Sequence, residues 1–185
     1  MVESVMFTIE SWYVLGPVAM LGLIWLVLWS RKRESELKLG QVAMIVSFGV
    51  YLLCVLHLVF FPIDVNIGEY ANQTPWYKTI NFIPILTIDI QTFLLNIIML
   101  IPFGMYLPVL FKVKESVKKA ATLGFIFSIS LEVVQLVIRI TLGSGRSTDI
   151  NDLIANSLGA AIGFIMMKKL LKFSQLKNTL KSFQL

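Results

Sequence analysis

The sequence predicts an all-α integral membrane protein, a bundle of about five transmembrane helices, on three observations. Its 185 residues are 57% hydrophobic and only 15% charged. A soluble domain of that length cannot hide so much apolar surface. Five apolar runs come close to the ~18 residues needed to cross a bilayer. The basic residues, finally, are gathered on one side of those runs.

The runs are Trp12–Trp29, Val42–Phe61, Phe93–Phe111, Ala120–Leu142 and Leu153–Met167, the last lengthening if it starts at Asp149 or Ile150. The first is preceded by Glu3 and Glu10, lacks a small-x-small cleavage site, and is followed by Arg31-Lys32-Arg33. It therefore reads as a retained span rather than a signal peptide. Lys and Arg cluster in segments 30–41 and 112–119 and in the tail from Lys168. By the positive-inside rule the N-terminus lies outside and the C-terminus in the cytoplasm. The charge of +5 is thus a topology signal and not a nucleic-acid footprint. Cys54 has no partner cysteine, so no internal disulfide forms.

Pro62–Gln91 is the longest outside connection, and Ile80-Asn81-Phe82-Ile83-Pro84 is apolar enough to pack on the bundle or dip into the interface. After Lys169, Phe173, Leu176, Leu180 and Phe183 recur every three or four residues. This spacing suggests an interfacial amphipathic helix over 170–185, with a frayed tail as the alternative. Residues 1–185 read as one transmembrane domain with its core at about 45–170.

The polar residues concentrate between Ser130 and Gly163. Glu132, Gln135 and Arg139 share one face of the fourth span, and Asp149, Asp152 and Asn156 repeat the spacing at the start of the fifth. Gly143-Ser144-Gly145 predicts a tight turn that makes these helices antiparallel neighbours. Asn96 and His57 lie in the same half of the bundle, while the other half is plain Leu, Ile, Phe and Met. Charges inside a span are costly, roughly 2.5–3.5 kcal/mol each, and mark a functional site by default. We expect a polar cavity facing the outer side, with Asn96, Glu132, Gln135, Arg139, Arg146, Asp149, Asp152 and Asn156 as its ligand-binding residues.

Several structural roles compete with that reading. The charges can form a salt-bridge network with Arg146 or Asp149. Asp149 or Asp152 can cap the fifth helix. Asn96 and Asn156 can be interhelical hydrogen-bond glue, and Gly159-x-x-x-Gly163 a packing face, within the chain or between copies. Pro102-Phe103-Gly104 predicts a kink. His57 and the methionines read as core. No zinc helix or phosphate-binding glycine loop is present, and no cofactor is implied. A hard-cation site from Glu132, Asp149 and Asp152 is opposed by two nearby arginines. Carboxylates mixed with arginines suit a substrate carrying phosphate or carboxylate and amine groups. Glu132 is the candidate general acid/base if the chain is an enzyme.

These motifs resemble the VanZ family of bacterial membrane proteins. The resemblance rests on Glu132-x-x-Gln135, then Gly145-Arg146-x-x-Asp149-x-x-Asp152-x-x-x-Asn156-x-x-Gly159-x-x-x-Gly163. Asn81-x-x-Pro84 and Asn96-Ile97-x-x-x-x-Pro102-Phe103-Gly104 add to it. It implies a role in resistance to glycopeptide antibiotics, notably teicoplanin-type lipoglycopeptides, in Gram-positive bacteria. The expected partners are membrane lipids, a lipid-linked cell-wall precursor or the lipoglycopeptide itself. A membrane-embedded enzyme modifying an outer-leaflet lipid or cell-wall precursor is the second expectation, and a small transporter the third.

Overall fold

The computed structural model describes residues 4–32, 37–68, 74–111 and 116–172. Five helices dominate it: α1 (Ser11–Arg31), α2 (Leu39–Phe60), α3 (Ile90–Leu110), α4 (Val117–Leu142) and α5 (Ile150–Leu170). Each is long and apolar enough to cross a membrane, so the chain is a multi-pass membrane protein. The five expected spans match these helices to within a few residues. The expected amphipathic helix over 170–185 falls almost wholly outside the described residues.

Two small pairings that the helical reading missed lie at one end of the bundle. β1 (Val5–Ile9) pairs antiparallel with β2 (Ile63–Ile67) from the connection after α2. The strict alternation of Ile63, Val65 and Ile67 with Asp64 and Asn66 was the available signal. Further on, β3 (Ile80–Asn81) pairs in parallel with β4 (Thr148–Asp149), joining the α2–α3 connection to the α4–α5 turn. The opposite end carries Lys32, Lys38, Lys118, Lys119, Lys168 and Lys169, and we call the two the strand end and the basic end.

Small residues set the packing. α5 packs most extensively on α3 and next on α4. An added Cβ at Gly163 would overlap the Ile101 carbonyl, and one at Gly159 the Ile97 carbonyl. The Gly-x-x-x-Gly face is therefore used inside the chain, bringing two backbones together. Leu100, Phe103, Leu107, Ala120, Ala160 and Phe164 form one core cluster. Val55, Phe60, Phe61, Ile63, Val65 and Leu131 form a second, where β2 meets α2 and α4. α1 buries no residue and stands at the margin.

α3 runs over 90–110 with Pro102 and Pro108 inside it. The Tyr51 hydroxyl donates to the Met99 carbonyl at 2.9 Å, in the turn whose ladder Pro102 interrupts. His57 is not core but lies on the exposed face of α2. No described methionine is fully buried, and Met20 and Met166 are exposed. An unbranched thioether suits lipid contact as well as core filling. The half toward the basic end is not purely apolar either: Tyr106 donates to Ser47 at 3.0 Å.

Candidate functional site

The strand-end half of the bundle holds a cavity of about 380 Å³ between α2, α3, α4, α5 and the α4–α5 turn. Asn96, Glu132, Gln135, Arg146, Asp152 and Asn156 line it, together with Thr92 and apolar residues that include Leu58, Leu95 and Ile98. Six of the eight expected site residues are thus brought together. Thr92 was missed because a lone threonine at a helix start carries no periodic signal.

Each side chain is held by a neighbour. The Asn96 amide donates to Asp152 at 2.6 Å, tying α3 to α5. Asn156 donates to the Ser128 hydroxyl at 2.8 Å, tying α5 to α4. Gln135 donates to the Val59 carbonyl at 3.1 Å, tying α4 to α2. Glu132 accepts the Asp149 backbone N–H at 3.3 Å, fastening α4 to the start of α5. The two asparagines thus do serve as interhelical links, and the same residues line the cavity. Glu132 is 7% exposed and Asn156 3% exposed. The Asn156 side-chain oxygen is buried without a hydrogen-bond partner in the described structure.

Arg139 and Asp149 do not line the cavity but build its rim. The Arg139 guanidinium donates to the Arg146 carbonyl at 2.6 Å and to the Ser144 carbonyl at 3.4 Å. Gly143 makes this turn possible: its φ of 67° is left-handed, and a side chain there would strike the Asn66 carbonyl of β2. Asp149 is the N-cap of α5, accepting the Asn151 N–H at 2.8 Å, while its other oxygen accepts from Asn81 at 3.0 Å. The cap of α5 is therefore Asp149, which leaves Asp152 free to face the cavity. Asn151 accepts the Ile85 N–H at 2.8 Å and donates to Thr87. Asn81 and Asn151 so hold the 80–88 segment against α5 by polar contacts, while the apolar Phe82 and Ile83 remain 68% and 52% exposed rather than packed on the bundle.

The expected salt-bridge network is replaced by something else. Arg146 donates to the Phe61 carbonyl at 3.1 Å, and both arginines satisfy backbone carbonyls rather than carboxylates. Asp149 is tied to Glu132 through its backbone N–H, so carboxyls rather than an ion pair meet at the start of α5. Even so, no three His, Cys, Asp or Glu residues among the described ones are grouped to hold a metal ion. Chemically, the arrangement offers carboxyl and amide groups together with a guanidinium around one space.

Comparison with known proteins agrees with the motif pattern. The family model VanZ/LLP1 matches residues 48–172, which contain every residue of the cavity. The chain is 29% identical over 132 residues to Protein VanZ of Enterococcus faecium, covering 68% of this chain and 73% of that protein. No solved structure matches the chain. α1 lies outside the matched region, whereas α2 to α5 and the polar turn carry it. On the family match over most of its length, the chain belongs to the VanZ/LLP1 family.

Proposed function

We propose that this protein resides in the cell membrane of a Gram-positive bacterium and lowers the action of glycopeptide antibiotics of the teicoplanin type. In this reading the N-terminus and the strand end face outward, as the lysine placement favours. The cavity then opens in the outer half of the membrane and binds a cell-wall lipid, another lipid or the antibiotic's acyl chain. One observation carries the reading: six polar side chains from α3, α4, α5 and their turn converge on one 380 Å³ space. A cavity of this size, with a few convergent polar groups in apolar walls, has the make-up of a ligand site. Family membership supports the resistance role.

The test is susceptibility to teicoplanin and vancomycin in a sensitive Gram-positive host carrying wild type, Glu132→Gln or Arg146→Ala. Membrane levels are matched by immunoblot. Wild type is expected to protect and the two variants to lose protection at equal abundance. Absence of protection by wild type refutes the resistance role. Loss of the variants from the membrane makes the cluster a folding network.

The burial of Glu132 beside Asp152 favours a second reading, an enzyme acting on an outer-leaflet lipid or precursor with Glu132 as acid/base. New lipid or peptidoglycan species that vanish with Glu132→Gln would be its signature in mass spectrometry. If lipid profiles stay unchanged while wild type protects, binding alone accounts for the function.

A further inference from the structure

We propose that the cavity takes the headgroup of a phospholipid bearing a primary ammonium beside its phosphate, admitted sideways from the bilayer between α2 and α3. This rests on the ligand-binding reading above and names the class of ligand.

The hydrogen-bond inventory carries the headgroup assignment. All three amide side chains at the cavity donate to protein partners: Asn96 to Asp152, Gln135 to Val59 and Asn156 to Ser128. Acceptors are what remain. The Asn156 oxygen is buried and unpartnered. Asp152 accepts from Asn96 through one oxygen only, while Glu132 accepts the Asp149 N–H and is engaged by the Thr148 side chain as well. A ligand must therefore bring donors to this wall, and a group with several N–H donors and a positive charge suits the Asp152 carboxylate and the Asn156 amide oxygen. Arg146 is the one cation lining the space among the described residues, with a single guanidinium nitrogen engaged by the Phe61 carbonyl. Its remaining donors match a phosphate.

The route follows from the walls. Leu58 on α2 and Leu95 and Ile98 on α3 line the cavity, yet are 63%, 57% and 60% exposed. They sit where the cavity meets the bilayer. α2 packs only lightly on both α3 and α4, and the exposed lining residues lie on α2 and α3, so the α2–α3 seam is the open side. A cavity of 380 Å³ houses a headgroup but not two acyl chains, which stay in the bilayer against the leucines.

The test uses the purified full-length chain in mild detergent and native mass spectrometry. Phosphatidylethanolamine, phosphatidylcholine and phosphatidylglycerol of identical acyl chains are offered singly, and free O-phosphoethanolamine serves as competitor. Phosphatidylethanolamine is expected to be retained about tenfold more than the other two, equivalent to about 1.4 kcal/mol. Free O-phosphoethanolamine should compete poorly. Leu95→Trp, a change on a lipid-facing side chain with no hydrogen bond to lose, should cut retention about fivefold by narrowing the mouth. Asn156→Leu should abolish the headgroup preference.

Equal retention of the three lipids overturns the headgroup assignment, and undiminished binding by Leu95→Trp overturns the route. Effective competition by the free compound overturns the lipid as source. Protection from teicoplanin without a headgroup preference sinks this inference alone. Headgroup preference without protection sinks the resistance role alone.

Discussion

Asn156 shows how a residue can serve structure and site together. Its amide nitrogen links α5 to α4 through Ser128, its oxygen is left buried without a partner, and the residue lines the cavity. Replacing it with Leu removes the link, at a cost of about 0.6–2 kcal/mol for an interhelical bond in a membrane. A lower thermal midpoint of the detergent-solubilised chain is the expected readout. Gly163 is stricter, because a side chain there must displace the Ile101 carbonyl. Gly163→Leu is expected to cost at least about 1–3 kcal/mol and to reduce the monodisperse peak in size-exclusion chromatography. At this scale the sequence was informative in a particular way. Helical spacing gathered Glu132, Gln135, Asp152 and Asn156 correctly, since a face is a local property. It could not separate Asp149 from Asp152, because which one caps depends on where the helix begins. Nor could it show that Arg139 and Arg146 reach for carbonyls, since backbone partners leave no mark in the side-chain pattern.

Helix ends carry the testable chemistry of the elements. Asp89 caps α3, accepting from the Thr92 hydroxyl at 2.5 Å and from its N–H at 3.3 Å. These hydrogen bonds, the side-chain one first, hold its carboxyl below the ordinary aspartate value of 3.8. A carboxylate depressed in the folded state adds stability that is present above the unfolded value and is lost as pH falls through the folded one. Wild type is therefore expected to be more stable than Asp89→Asn at pH 7, with the difference vanishing at acidic pH below 3.8. Thermal melts of both proteins across that range check this. The helices themselves were legible as long apolar runs. β1, β2, β3 and β4 were not, because strands of two to five residues compete poorly with the helical signal around them. That α5 packs chiefly on α3 rather than on its sequence neighbour α4 is likewise a matter of small residues meeting backbone, which needs both helices in place.

For the molecule as a whole, alternation of basic and polar connections orders the two ends. Orientation is checked with single cysteines in a Cys54→Ser background, since Cys54 is exposed. Ser147→Cys, in the exposed part of the polar turn, should react with a membrane-impermeant maleimide in intact cells. Lys169→Cys, exposed at the basic end, should react only after permeabilisation. The reverse pattern would turn the cavity toward the cytoplasm and remove the outer-leaflet part of the proposed function.

The short parallel rung between β3 and β4 bears on how the protein comes into being. Asn81 waits for Asp149, a partner 68 residues further along the chain, and Asn96 waits for Asp152, 56 residues further along. Both partners follow the fourth span. During synthesis the third span must therefore enter the bilayer with its asparagine unanswered, at the expense of a polar group among lipid tails. The cavity is a late product of biogenesis, closed only when α5 arrives. A nascent chain halted after α4 offers the same asparagine to whatever surveys unassembled membrane segments.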